Sequence, residues 1–378
     1  MVLGNLYKSK MVDEAINKGI EYLLSLIENN RWRGFPTLAG ESDVWVTGFV
    51  LTHICNLCEQ KDVIKEAQNF LLASQYPSGG WSYSQQVPPD ADSTAWCLMA
   101  LQSCKDFNGT VFEKAKEFLW NHFTNGGLST YRWESGIGDF ISAPNSEAII
   151  GWTSSHPDVS IAAILADIKN DKVPEVINYL LNRQTNEGFI NSYWWRSGYY
   201  TTTLLLRAIS MLRHHLPEKN AVMIAELLVR RQLAEGGFGI DLSVSTDPFT
   251  TALALESFVH LSYLGYATER TMCANALMLS QHENGSWAGD FILRIPAPYV
   301  IDPEQVESWN SSHGGGNSFV EDKNGIFATA LACYALDCWR KAETQSYISK
   351  KWPLFQLNNK AENGETLSIK PNAFNGLA

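Results

Sequence analysis

The chain is 378 residues long and 45% hydrophobic, so it can bury a large core and is not expected to be disordered. Its net charge of −11 supplies no basic field for a phosphate backbone, which argues against a nucleic-acid partner. Residues 1–10 lack the basic region and apolar run of a secretory leader, no segment has the roughly 18 uninterrupted apolar residues of a spanning helix, and the seven cysteines are odd in number and irregularly spaced, so a cytoplasmic, reducing location is expected.

Six short turns along the chain look alike: Arg33-Gly34-Phe35, Gly79-Gly80-Trp81, Gly126-Gly127-Leu128, Glu187-Gly188-Phe189, Gly236-Gly237-Phe238 and Gly285-Ser286-Trp287. Their middle residues stand 46 to 61 residues apart, a regular period with one insertion. Each turn follows a half-polar helical stretch, at 15–27, 63–74, 112–123, 176–183, 221–231 and 272–280. Apolar residues recur there at helical spacing, as in Val63, Ala67, Phe70 and Leu71.

Each turn precedes a nearly uncharged stretch, at 45–54, 93–101, 159–166, 201–211, 249–261 and 327–336. A helix apolar on most faces is buried. The alternation predicts an all-α fold, a single (α/α)6 barrel of six outer and six inner helices over residues 1–352, with an irregular tail at 353–378. An open solenoid of helix pairs is the competing architecture. Cys55 and Cys58 sit in an apolar helical run with no second pair at metal-ligand spacing, so core packing and no metal are expected. Two long loops, 131–155 and 288–324, break the period and are expected to cover one barrel end.

The inner stretches open with a hydroxyl residue: Thr47, Thr94, Ser160, Thr202, Thr251 and Thr329, with Thr201 and Thr203 competing in the fourth. Aligning on these brings Trp45, Asp92, Asp158, Tyr200, Phe249 and Phe327 to one level. Taken singly, Asp92 and Asp158 are expected helix N-caps and the rings core filling. Together, an acid facing aromatic faces suits a reaction that makes a carbocation, because ring quadrupoles stabilise cations by about 0.5–2 kcal/mol each. Asp90 raises its neighbour's pKa by like-charge repulsion, whereas the helix N-terminus lowers it.

Here the chain resembles the class II terpene cyclases, which include squalene–hopene and oxidosqualene cyclases, as a bacterial single-domain meroterpenoid type. The resemblance rests on the repeated Gln…Gly-aromatic turn (Gln75…Trp81, Gln184…Phe189, Gln232…Phe238, Gln281…Trp287) and on an Asp-x-Asp-Asp-Thr-Ala motif present as Asp90-Ala91-Asp92-Ser93-Thr94-Ala95. It implies that Asp92 is the general acid protonating a terminal alkene or epoxide, with Asp90 its supporting partner. Ser93 stands where hopene-type enzymes have the last Asp. Asp158-Val159-Ser160 resembles a family Asp-Val-Thr segment; the family's following His, which bonds the acid, is Ala162 here, with His156 and His313 as loop substitutes. Trp194 and Tyr200 resemble cavity-lining family residues, and Trp309 is counted with them.

The resemblance implies a linear polyprenyl substrate, of sesquiterpene to diterpene length and optionally carrying an aromatic head, cyclised through carbocations without cofactor or metal. Arg132, Arg196 and Arg294 are candidate partners for a carboxylate on that head. A lipid-like substrate implies transient contact with a membrane surface. The alternatives are an (α/α)6-barrel glycosidase using Asp92 and Asp158, and a scaffold that binds an isoprenoid without turnover.

Overall fold

A computed structural model describes residues 2–103, 109–240, 245–310 and 315–351, with side chains between 10 and 344. Among the described residues, those up to Trp339 form one compact unit, and those from Arg340 belong to a second. The expected tail at 353–378, and His313, lie outside the described residues.

Among the described residues the fold is all-α apart from three small antiparallel sheets. Six helices carry a polar face: α1 (Val2–Ser25), α3 (Lys61–Ala73), α5 (Gly109–Trp120), α7 (Val173–Leu181), α9 (Glu218–Arg231) and α11 (Ala267–Leu279). Six alternate with them and are almost wholly buried: α2 (Val44–Ile54), α4 (Ala91–Gln102), α6 (Pro157–Ala166), α8 (Tyr199–Met211), α10 (Pro248–His260) and α12 (Ile326–Lys351), the last described here as far as Trp339. All twelve expected helices are present; ten have ends shifted by at most five residues, while α1 starts 13 residues before the expected 15 and α12 runs 15 residues past the expected 336. The buried helices pack in sequence order: α2 on α4, α4 on α6, α6 on α8, α8 on α10. The ring of Phe49 on α2 stacks on Phe327 of α12 at 3.7 Å.

One hydrogen bond repeats six times. The hydroxyls of Thr47, Thr94, Ser160, Thr202, Thr251 and Thr329 accept the backbone N–H of Trp32, Trp81, Leu128, Ile190, Phe238 and Trp287. Each turn is thereby fastened to the helix that follows it, through its third residue in four repeats, through Trp32 just before it in the first and through Ile190 just after it in the fourth. The bond from Ile190 selects Thr202 over its neighbours and fixes the register of the fourth repeat. A second bond repeats with the glutamines. Gln75, Gln184, Gln232 and Gln281 each donate through Nε2 to the carbonyl of their own turn glycine and to a carbonyl of the next polar helix. For Gln281 that helix is α1, through the carbonyl of Ala15. Gly285, beside it, has φ +89°, and a Cβ there would lie 2.3 Å from the carbonyl oxygen of Lys18. Only glycine allows so close an approach at such a backbone angle.

Cys55 and Cys58 are buried against this core. Among the described residues, no group of three or more His, Cys, Asp or Glu is placed to hold a metal, and no helix is long and apolar enough to cross a membrane.

Candidate active site

A cavity of about 430 Å³ opens at the N-terminal ends of α2 and α4. Its walls come from those helix starts, from the hairpin at 34–42 and from both long loops. The loops meet at it: the Trp152 indole N–H donates to the carbonyl of Pro296 at 3.0 Å and its backbone N–H to that of Pro298 at 3.2 Å, while the Tyr193 hydroxyl, from the segment before α8, donates to the carbonyl of Val300 at 2.7 Å. The walls are mainly aromatic and aliphatic, with Asp90 and Asp92 the carboxylates among them.

Sequence context divides those two carboxylates. Asp90 is the N-cap of α4, as its type favours. It accepts Ser93 N–H and Ser93 Oγ–H, both at 2.7 Å, and Tyr83 N–H at 3.1 Å. Burial nevertheless raises its pKa to about 6. Ser93 thus acts on Asp90. Asp92, two residues on, is not a cap; it lies in the first turn with its free surface turned to the cavity. Its Oδ2 accepts the indole N–H of Trp45 at 2.9 Å, while its buried Oδ1 has no hydrogen-bond partner among the described residues. Burial first, then Asp90 and Asp158, push its pKa well above the ordinary carboxylate value.

Asp158 is not a cap either, since His156 occupies that position before α6. Its two oxygens accept the backbone N–H groups of Tyr193 (3.1 Å) and Trp194 (2.7 Å), so it pins the segment that carries Trp194 and Trp195. Its pKa is raised by burial. His156 does not reach Asp92. Its Nε2–H donates to the carbonyl of Gly151 and its Nδ1 accepts the hydroxyl of Thr130, both at 2.7 Å. Burial holds the ring neutral, with its pKa lowered to about 3. Thr130 Oγ1 in turn accepts the Trp194 indole N–H at 2.6 Å, and the carbonyl of Thr130 accepts the first N–H of α4, that of Ala91, at 3.0 Å.

Trp45 and Trp194 line the cavity. Tyr200, Phe249 and Phe327 lie behind it in a packed aromatic layer. Its centre is Trp195, a residue the aligned register had passed over. The Trp195 indole stacks on Tyr200 at 3.8 Å and on Phe249 at 5.4 Å, lies 6.0 Å from both Trp45 and Phe327, and lines the cavity itself. Trp309 stands apart from the cavity walls, half-buried, stacked on Phe319 at 5.1 Å. Tyr83, Thr130, Tyr131 and Trp152 are further wall residues that the sequence reading missed.

The arginines are placed elsewhere. Arg294 is buried on the carbonyls of Tyr193 and Ser192 and on Glu304, at 2.6 Å from the last. Arg132 pairs with Glu134 on the surface, and Arg196 lies over the Phe319 ring and donates to the carbonyl of Phe291.

The profile of the prenyltransferase alpha-alpha toroid domain matches residues 2–191 and 196–351. No curated protein matches the chain. Solved structures of similar fold include the type II terpene cyclase MstE from Scytonema. A variant holding geranylgeranyl dihydroxybenzoate as substrate is 24% identical, with a TM-score of 0.79 over 89% of this chain and 99% of that one. A variant holding merosterolic acid A as product is 25% identical, with the same score and coverage. A protein from Actinoplanes is 27% identical, with a TM-score of 0.79 over 87% of this chain and 99% of that one.

Proposed function

Since the chain belongs to the prenyltransferase alpha-alpha toroid domain family, we propose that it is a class II terpene cyclase that folds a linear polyprenyl chain, with or without an aromatic head, and closes it into rings. The observation that carries this reading is Asp92, a carboxyl that burial pushes toward its protonated form, on the wall of a cavity that is mainly aromatic and aliphatic. MstE, a relative of the same fold, takes geranylgeranyl dihydroxybenzoate, and a substrate of that class suits these walls.

In the proposed reaction the cavity holds the chain in a folded conformation, which removes the entropy cost of ordering it at the moment of reaction. The electron pair of the distal alkene forms a C–H bond with the Asp92 proton, and the O–H pair stays on Asp92 as carboxylate. The resulting cation moves through successive ring closures past Trp45, Trp194 and Trp195, each ring face contributing about 0.5–2 kcal/mol. Tyr200, Phe249 and Phe327 form the layer beneath. Loss of a proton from the last cation ends the sequence, and the dry walls keep water from quenching it earlier. Asp90 and Asp158 serve as positioning residues, Asp90 through the start of α4 and Asp158 through the Trp194 segment.

The Gln281–Ala15 bond and the Phe49–Phe327 stack, which join the last repeat to the first, support a closed (α/α)6 barrel of six outer and six inner helices. We place that barrel at residues 1–352, followed by the tail at 353–378. An apolar substrate favours a cytoplasmic enzyme that meets membrane surfaces transiently. A glycosidase would need a second carboxylate across the cavity, and Asp158 has both oxygens on backbone N–H groups.

Incubation with geranylgeranyl dihydroxybenzoate, read by chromatographic retention and NMR because cyclisation leaves the mass unchanged, tests the reading. The wild type forms a cyclic product and Asp92→Asn forms none. Cyclisation by D92N at the wild-type rate, or unchanged substrate with wild type across a panel of prenyl chains, overturns it.

A further inference from the structure

This inference rests on the role given to Asp92 above. A carboxyl that burial pushes toward its protonated form is a weak donor to carbon unless something favours the carboxylate as it forms. A cation beside it would ionise it at rest. A neutral N–H donor strengthens mainly as charge develops.

The surroundings of Asp92 supply neutral donors. The Trp45 indole N–H sits on Oδ2 at 2.9 Å. Trp96, one helical turn beyond Asp92 on the same face of α4, is fully buried, and its indole N–H has no partner among the described residues; neither has Asp92 Oδ1 nor the hydroxyl of Tyr200, whose residue is 1% exposed. The titratable groups facing Asp92 are Asp90, Asp158, Cys97, Tyr131 and Tyr200, all pushed by burial toward their neutral forms. The nearby cations act on other groups, Arg294 on Asp158 and Arg207 on Tyr200, and Arg207 is bound through two nitrogens to Glu256 at 2.6 and 2.8 Å. The imidazoles are engaged as well, His156 on Thr130 and Gly151, and His53 on the carbonyl of Phe49 and on Arg207.

We propose that Trp45 and Trp96 are positioning residues for the acid, two uncharged indole N–H groups, one bonded to the Asp92 carboxyl and one unpartnered a helical turn away on the same face, that stabilise the carboxylate as the proton leaves, in place of a titrating base. Trp45 then has two separable parts, a ring face toward the cavity and an N–H toward the acid.

Trp45→Phe keeps a ring face and removes the N–H. With geranylgeranyl dihydroxybenzoate, kcat falls on the order of 10- to 100-fold, the size expected for a hydrogen bond to a charged group, and KM is unchanged. In infrared difference spectra of substrate-free enzyme, with D92N as the subtraction reference, the Asp92 carboxylic acid band persists to higher pH in W45F than in wild type. Trp45→His places an imidazole on the acid and adds a limb to the pH–rate profile that wild type lacks. Wild-type kcat in W45F with an unchanged Asp92 titration overturns the proposal. Should W45F not fold, Trp96→Phe decides by the same two readouts. If wild type turns over no prenyl substrate while the Asp92 band still shifts in W45F, the positioning stands and the cyclase reading fails; if wild type and W45F turn over alike, the reverse holds.

Discussion

Trp194 donates its indole N–H to the hydroxyl of Thr130 at 2.6 Å, the first link of a chain that runs through neutral His156 to the carbonyl of Gly151. Every donor in it has one acceptor, so the cavity ring of Trp194 is held by a satisfied network. The backbone of the same threonine holds the start of α4, and with it Asp92.

Thr130→Val therefore leaves the Trp194 N–H and His156 Nδ1 without a partner while preserving shape. The expected loss of stability is about 1–3 kcal/mol, read as a lower urea midpoint at unchanged m-value. The backbone link to Ala91 survives, so the fold remains and the product pattern broadens.

Asp158→Ala strips the acceptors from two backbone N–H groups at once. Stability should fall by about 2–4 kcal/mol. Amide exchange of Tyr193 and Trp194 should accelerate far more than that of α6 itself, because the loss is local to the segment the carboxylate pins. Asp158→Asn, which keeps one acceptor, should lie between.

Gly285 and Gly265 separate two costs of replacing a glycine. Both have positive φ, +89° and +105°, but a Cβ at Gly265 meets nothing within 4 Å whereas one at Gly285 meets Lys18. Gly265→Ala should cost about 1–2 kcal/mol from backbone strain alone. Gly285→Ala should cost clearly more and lower Tm accordingly, since the clash forces apart the turn and the helix it rests on.

Asp322 gives a pH-dependent prediction. It accepts the N–H groups of Ile326 and Ala328 at the start of α12, and burial raises its pKa to about 7. Below about pH 4 it is protonated in both folded and unfolded chains. Between about 4 and 7 the unfolded chain binds fewer protons than the native one, so this group's contribution to stability falls as pH rises, by a few kcal/mol in total. His53 and His156, with pKa values lowered to about 3, act with opposite sign in an overlapping window. The readout is therefore the difference between wild type and Asp322→Asn, which should slope downward from pH 4 to 7 and then level off.

Much of the fold was legible because the repeats are chemical as well as periodic. The glutamines and the hydroxyl residues each make the same bond in each repeat where they occur, so sequence spacing translated directly into helices. The fourth repeat was ambiguous because three consecutive threonines satisfy the pattern, and only the bond from Ile190 distinguishes Thr202. At the site, the register brought out Asp92 and Trp45 but not Trp195, which precedes its helix and reaches the cavity from a loop. Thr130 and Tyr131 escaped for the same reason: helical periodicity carries no information about irregular backbone. The capping role expected of Asp92 falls to Asp90, and the two carboxylates separate only when the partners of each oxygen are known.

The six hydroxyl clasps hold sequence separations of 15, 13, 32, 12, 13 and 42 residues with the same contact. The length of what lies between two fastened points is thus decoupled from the position of the points. The two longest intervals supply much of the chamber's lining, so its shape can be recast by exchanging those segments alone, with the surrounding helices left in register. Such an arrangement lets one skeleton host differently contoured interiors, and it marks the third and sixth intervals as the places to graft new ones.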